Sequence, residues 1–399
     1  MTSPRPVVRL RPGVPAGPVR RGDAPWLYSD QLVLDRRTRA IPAGSLVALQ
    51  DAERVPLALA AFNPESKIAA RVLDPDPDAE IDRDWFAARL SRALALRETL
   101  FDAPFYRLIH AEADGLPGVV IDRFGDAAVV QPNAAWADAR LDALVAALRD
   151  VTGVSVVVMN GTGRARSLEG LPTETRLLAG SFESAVAVPM NGATYFADLI
   201  EGQKTGLYFD QRPNHAFAAR LGRGRTVLDL FAHVGGFGLA ALAAGAESAL
   251  AVDGSQPALD LAQRGAEASG VADRFTTRRG DAFDTLAELA TEGTRFGLIV
   301  CDPPAFAPAR PALEAGLRAY ERLARLAAPL VEPGGVLVLC SCSHAADLAK
   351  FRAASLRGVG RAGRRAQILH VGGAGPDHPV HPGLAETSYL KALFLRLDG

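Results

Sequence analysis

From about Asn214 onward the chain alternates strand-like and helix-like segments, and that alternation leaves few folds open. Short, mostly apolar runs lie at Thr226–Leu230, Ala249–Asp253, Phe275–Arg279, Leu298–Asp302, Val336–Cys340, Ala366–His370 and Leu390–Leu397. Helical segments fill the gaps between the first five. Apolar runs without polar alternation are strands covered on both faces, and strands separated by helices are parallel. The expected architecture is therefore a doubly wound α/β sheet. No long helical segment separates the last two runs, so they should pair as an antiparallel hairpin at the sheet edge.

The upstream half reads differently. The strings "LVLDRRTRAIPAGSLVALQD" and "PLALAAFNPESKIAARVLD" are β-type runs broken by turn residues, the pattern of a small barrel-like module. The stretch Asp74-Pro75-Asp76-Pro77-Asp78 marks a boundary. Trp85, Phe86, Leu90, Ala93, Leu94 and Leu96 recur at helical spacing and predict a helix from Asp82 to Leu100. Next, "YRLIHAEADGLPGVVIDRFGDAAVVQ" reads as strand, turn, strand. A helix is expected over Ala137–Leu148, with strands over Val154–Met159, near Ala185–Val188 and near Thr194–Leu199. This makes a small α+β middle domain. The three domains are expected over residues 1–75, 80–195 and 196–399.

Composition excludes some classes. Formal net charge is −1, so the chain has no overall basic signature for nucleic acid. The first 73 residues do carry 11 Lys and Arg against 6 Asp and Glu, enough for a module that touches phosphates or for a solvated face. Three cysteines, Cys301, Cys340 and Cys342, do not make a disulfide framework, and none has zinc-site spacing, so no metal is expected. No apolar run is long enough to span a bilayer and no signal peptide is visible, so a cytoplasmic protein is expected.

In open α/β sheets the ligand lies beyond the C-terminal strand ends, and the notable residues fall there in succession. The first strand ends in "VLDLFAHVGGFG": Asp229 lies near its tip, and Gly235 and Gly236 permit a sharp turn close to a ligand. Glycines at 235, 236 and 238 do not make a dinucleotide fingerprint. Asp253 ends the second strand, placed to hold both hydroxyls of a ribose or to cap the next helix. Asp281, after the third strand, suits the amino group of an adenine or the same capping task.

The fourth strand ends in "CDPPAF". Pro303 and Pro304 remove backbone donors and stiffen the loop, fixing Asp302 beside a planar substrate, with Phe306 in the same loop. The fifth strand ends in "VLCSCSH". Cys342, just past the strand end, is the candidate nucleophile; Cys340 and Cys301 lie inside strands and read as small buried apolar residues.

These strings, with "GQKTGLYFDQRPNH", "AVDGSQPALDLAQRGAE", "DHPVHPGLAETSYLKALFLRL" and the upstream "AEADGLPGVVIDRFGD", resemble the bacterial large-subunit ribosomal RNA methyltransferases that form 5-methylcytosine. The first module is similar to that family's PUA domain, an RNA-binding barrel. The resemblance implies a class I methyltransferase sheet of seven strands with an antiparallel last strand, S-adenosylmethionine as cofactor, and large-subunit ribosomal RNA as partner. A homodimer stays open. It implies that Asp229, Phe231, Gly235 and Gly236 line the methionine end of the cofactor, that Asp253 holds its ribose and that Asp281 holds its adenine. Tyr208, Asp210, Gln211 and Arg212 would fold over the cofactor or substrate edge, with Gln211 foremost. Cys342 would attack C6 of the cytosine while Asp302 holds the base edge. Ala305 departs from the family, where Lys commonly follows the paired prolines. Other 5-methylcytosine enzymes place a Cys where Pro304 stands. Two rivals remain: an exocyclic-amine RNA methyltransferase, which needs no nucleophilic Cys, and a non-catalytic RNA-binding assembly factor.

Overall fold

The computed structural model describes residues 5–181, 185–202 and 206–398. Within "GQKTGLYFDQRPNH", residues 203–205 lie outside the described residues. Contacts group the chain into two compact units. One holds Met1–Ser184, Leu199–Thr205 and Pro376–Thr387; the other holds Ala185–Asp198, Gly206–Gly375 and Ser388–Gly399.

The first unit contains two five-stranded sheets. Strands β1 (Val7–Arg9), β2 (Trp26–Tyr28), β3 (Ser45–Gln50), β4 (Pro56–Phe62) and β5 (Ile68–Asp74) run in the order β1-β3-β4-β5-β2. A bridge between Leu10 and Leu32 ties the segments that follow the two edge strands. The sheet closes around Val8, Leu10, Leu27, Val47, Leu49, Ala60 and Phe62, all essentially inaccessible to water. The second sheet comprises β6 (Phe105–His110), β7 (Val119–Phe124), β8 (Ala127–Pro132), β9 (Val156–Asn160) and β10 (Thr175–Ala179), in the order β10-β9-β8-β7-β6. The helix Arg83–Leu100, capped by Asp82, packs Trp85, Phe86 and Leu90 into the core of this region. Phe86 stacks on Trp136 at 6.0 Å between ring centres, which fixes the helix rotation as well as burying area. Strand β10 and the short helix Arg164–Leu168 have no counterpart in the sequence reading; turn residues surround both.

The second unit contains β11 (Val186–Met190), β12 (Ala193–Ala197), β13 (Thr226–Leu230), β14 (Ser248–Asp253), β15 (Phe275–Arg279), β16 (Phe296–Cys301), β17 (Val331–Ser341), β18 (Ala366–Gly372) and β19 (Lys391–Leu397). The last seven form one sheet in the order β15-β14-β13-β16-β17-β19-β18. Pairing is parallel from β15 to β17, while β19 is antiparallel to both β17 and β18. The expected hairpin of β18 and β19 forms, but its later strand is the inner one. That position suits its sequence: β19 is apolar and buried, whereas outer β18 exposes Ile368, Leu369 and Val371. The outer β15 is likewise polar and partly exposed. The hairpin β11–β12, placed in the middle domain from sequence, lies in this second unit, where Thr194 N–H donates to Ser269 Oγ at 2.9 Å.

Candidate active site

Strand register brings the candidate residues to one edge. Leu230 pairs with Val252 on one side and with Cys301 on the other, so Phe231, Asp253 and Asp302 follow at neighbouring strand ends. Cys301 pairs in turn with Leu339, which brings Cys340 and then Cys342 to the same rim. The Asp302 N–H donates to the Leu230 carbonyl at 3.3 Å, extending the ladder by one residue.

The loop after β13 is strained. Phe231 and His233 hold positive φ, 61° and 51°, and Gly235 follows at 82°. Two non-glycine residues in the left-handed region within three positions cost roughly 1–3 kcal/mol each and persist where surroundings over-determine them. Here the His233 N–H donates to Asp253 Oδ2 at 2.9 Å, and the Gly238 N–H to Asp229 Oδ2 at 2.8 Å. Gly236 opens the helix Gly236–Ala243; a Cβ there would meet the His215 ring at 2.8 Å. Tyr195 fixes the same turn by donating from its hydroxyl to the Gly236 carbonyl.

Asp229 is 1% exposed, and its Oδ1 finds no partner among the described residues. Burial lifts its carboxyl to about 7, against the pull of the Gly238 amide. A buried carboxylate oxygen without a donor calls for a cationic ligand, since leaving it unpaired costs on the order of 1–3 kcal/mol. The α-ammonium group of a methionine moiety meets that need. His215, pushed down to about 3 by burial, is a neutral imidazole whose Nδ1 is also without a partner among the described residues.

Asp253 is half-buried and uses one oxygen for His233 N–H and the other for Ser255 N–H, at 2.9 and 2.8 Å. It does not cap the following helix; Ser255 does. Each Asp253 oxygen keeps a second lone pair for a hydroxyl. Asp281 does cap its helix: Oδ1 accepts from Phe283 and Asp284 N–H at 2.8 and 3.2 Å, leaving Oδ2 outward.

Gln211 lies inside the fold, 3% exposed, with its Oε1 accepting from Asn214 Nδ2 at 2.6 Å. Its side chain also hydrogen-bonds the Cys340 thiol. Its amide is thus engaged within the protein. Tyr208 is the residue of that segment that faces the acids. Burial raises its phenol first, and the negative charges of Asp302, Asp210, Cys342 and Asp253 raise it further. The Tyr208 hydroxyl therefore stays protonated as a donor. Asp210 accepts from the Tyr389 hydroxyl at 2.5 Å, and its other oxygen is unpartnered among the described residues.

Cys301 and Cys340 are buried, and burial pushes both thiols up, so they are inert at neutral pH. Cys342 is partly exposed. In the "CDPPAF" loop Pro303 is buried and Pro304 exposed. Phe306 does not stand open to a substrate. It packs against Tyr320, Phe283 and Phe231 at 5.0, 6.1 and 6.5 Å between ring centres. Three positions after the buried Pro303, Phe306 is half-buried and its ring turns toward the core. Sequence reasoning does not single out Tyr320, Ser341, Ser343, Tyr389 or Lys391. Their signal is buried hydroxyls and a buried ammonium, visible only once distant segments meet.

Among the described residues no group of three His, Cys, Asp or Glu is placed to hold a metal ion, and no helix is long and apolar enough to cross a membrane.

Comparison with known proteins agrees with this geometry. A family profile described as S-adenosylmethionine-dependent methyltransferase matches residues 144–396, and a PUA-like domain profile matches residues 8–75. A ribosomal RNA large subunit methyltransferase I from Aeromonas hydrophila is 36% identical over 380 residues, covering 93% of this chain and 95% of its own. Its namesake from Aliivibrio fischeri is 35% identical, covering 94% and 95%. Among solved structures, a putative methyltransferase complexed with SAH superposes with a TM-score of 0.82 at 20% identity, over 99% of this chain and 100% of that one. A putative SAM-dependent methyltransferase from Streptococcus mutans gives 0.81 at 19%, over 98% and 100%. The last two speak for the fold, and the first two for descent: the chain belongs to the S-adenosylmethionine-dependent methyltransferases, in the family of the ribosomal RNA large subunit methyltransferases I.

Proposed function

We propose that the chain methylates C5 of a cytosine in large-subunit ribosomal RNA, with Cys342 as the nucleophile. The observation that carries this reading is the strand register, which sets Asp302 and Cys342 just past the C-terminal ends of two adjacent strands. A sulfur nucleophile and a carboxyl group at one rim are what the C5 of a pyrimidine requires and what methylation of an exocyclic amine does not.

The unpartnered oxygen of Asp229 fits the ammonium group of S-adenosylmethionine, Asp253 its ribose hydroxyls, and the outward oxygen of Asp281 its adenine amine. Phe231, Gly235 and Gly236 bring the backbone of the strained loop close enough to line its methionine end. Bound there, the cofactor supplies an electrophilic methyl group. The protein then makes C5 reactive. The Cys342 thiolate adds to C6, the C5–C6 double bond opens, and Asp302 favours protonation at N3 as charge builds. C5 takes the methyl group and S-adenosylhomocysteine is left; a base then takes the C5 proton, the C5–C6 double bond reforms and the C6–S bond breaks to release the Cys342 thiolate. The target base must leave its stack to expose the ring face. The PUA-like barrel would add affinity for folded RNA.

The reading is tested by mapping 5-methylcytosine in ribosomal RNA from cells lacking the protein and from cells carrying only Cys342→Ala. Both should lose the same mark. A mark that survives in Cys342→Ala cells points to exocyclic-amine chemistry. No change in either strain, together with no S-adenosylhomocysteine binding, points to an assembly factor.

A further inference from the structure

Lys391 opens strand β19 in the apolar run "YLKALFLRL" and is 8% exposed. Burying an ammonium group is costly unless it is fully satisfied. Its Nζ donates to the Ser343 carbonyl at 2.7 Å and to the Ala346 carbonyl at 2.8 Å. Both carbonyls belong to the turn that begins where β17 ends, and Ser341, the last residue of β17, pairs in register with Lys391. The cation therefore sits directly under the turn that presents Cys342.

The same turn is held from the other side by hydroxyls. Ser341 Oγ donates to the Tyr320 hydroxyl at 2.8 Å, the Tyr320 and Ser343 hydroxyls share a hydrogen at 2.7 Å, and the Ala307 N–H donates to Ser343 Oγ at 2.9 Å. Ser341 and Ser343 are wholly buried, while Cys342 between them is partly exposed. Its backbone is fixed on both flanks, and Cys342 itself stays partly exposed. Hydroxyls and carbonyls do not, however, offset the charge of a thiolate.

The groups around that sulfur make the need plain. Tyr208, Tyr320 and Cys340 are neutral neighbours whose own ionisation Cys342 opposes. Asp302 is a negative charge acting on the same Tyr208 and Cys340, and His344 lies two positions on, in ring contact with Tyr389. Lys391 brings a positive charge to the same turn. Burial disfavours its charged form, and the charges of Cys342 and then Asp347 favour it.

We propose that Lys391 is a positioning residue for Cys342: it clamps the turn that carries the sulfur and supplies the buried positive charge that holds it as a thiolate. The proposal rests on the reading of Cys342 as nucleophile.

The test reads the sulfur itself. With Cys301 and Cys340 buried, iodoacetamide should alkylate the folded protein at Cys342, so the pH midpoint of alkylation reports that thiol. Lys391→Gln keeps a donor and removes the charge; the midpoint should move up by about one pH unit, and the alkylation rate at pH 7 and kcat should each fall about tenfold with KM little changed. Lys391→Arg should return the midpoint toward wild type. Tyr320→Phe, which loosens the turn without touching the charge, should lower kcat and leave the midpoint in place. An unchanged midpoint in Lys391→Gln overturns the proposal even if activity falls, because the lysine would then be a clamp alone. Should that variant not fold, the Lys391 ammonium can be titrated by nitrogen-15 NMR. Its pKa should be lower in Cys342→Ser than in wild type, and equal values overturn the proposal. A methyltransferase still active as Cys342→Ala sinks the nucleophile reading itself, a result distinct from an unmoved midpoint in an enzyme that Cys342→Ala has silenced.

Discussion

Two regions of this molecule bury ionisable groups, and they treat them in opposite ways. In the first unit, Arg97 is wholly buried and fully occupied: Nη1 and Nη2 reach Asp114 at 3.1 and 2.7 Å, Nε reaches the Arg107 carbonyl at 2.9 Å, and Nη2 also reaches the Asp377 carbonyl at 3.1 Å. Beside it Asp122 accepts from Arg107, and Asp377 bonds His378. At the strand-end rim of the second unit, Asp229, Asp210 and His215 are buried and each keeps one polar atom without a partner among the described residues. A satisfied buried network fixes a conformation; an unsatisfied one is the signature of a missing ligand.

That contrast generates five predictions. Cys342→Ala should abolish methyl transfer, by roughly a thousandfold or more, while S-adenosylhomocysteine still binds, as measured by calorimetry. Loss of binding in this variant would mean that Cys342 belongs to the cofactor pocket. Next, Arg97→Met should destabilise the protein by about 3–5 kcal/mol in urea unfolding, because it strands the Asp114 carboxylate in the interior. A change below 1 kcal/mol would show that the satisfied network is ornamental. Asp229→Asn should do the reverse. Stability should hold or rise, and S-adenosylhomocysteine affinity should drop roughly 10–100-fold, the loss expected for a charge-assisted hydrogen bond.

The smallest effects are in pH. Asp229 has a folded pKa of about 7, above its unfolded value, so in the ligand-free protein its contribution to stability falls as pH rises from about 4 through 7. Cofactor affinity should run the other way, tightening up to tenfold between pH 6 and 8 and flattening in Asp229→Asn. His110 is the counterpart in the first unit. Burial, with the charges of Arg107, His378 and Arg97, pushes its pKa down to about 2, so the unfolded chain binds the extra proton below pH 6.5. Stability should decline by about 1 kcal/mol per pH unit as pH falls below 6.5. His110→Gln should flatten that decline; an equal slope in the variant would move the cause elsewhere.

How much of this could be read in the sequence depended on how local the signal was. Strand β15 begins and ends at Phe275 and Arg279, as expected, because helices bound it on both sides. Asp229, Asp253 and Asp302 were found because strand tips can be located from periodicity alone. The inner place of β19 is marked only by a difference in degree, KALFLRL against the less apolar AQILHVG of β18, which takes on meaning once both strands are seen in the sheet. Gln211 is expected at the cofactor or substrate edge, and its burial with Oε1 on Asn214 is not visible in the string around it. Lys391 reads as a lone charge interrupting a strand; the carbonyls that explain it are 45 and 48 residues earlier. The hairpin β11–β12 was given to the wrong neighbour because no change of composition separates it from the middle domain.

The inner place of β19 has a consequence for biosynthesis. Strand β18 pairs with β19 alone, and the turn bearing Cys342 leans on the first residue of that same strand. A nascent polypeptide translated only as far as β18 therefore carries every acid and thiol of the rim but lacks the last beam that holds them in place. Of the residues that hold the rim, those of β19 are the last to be translated.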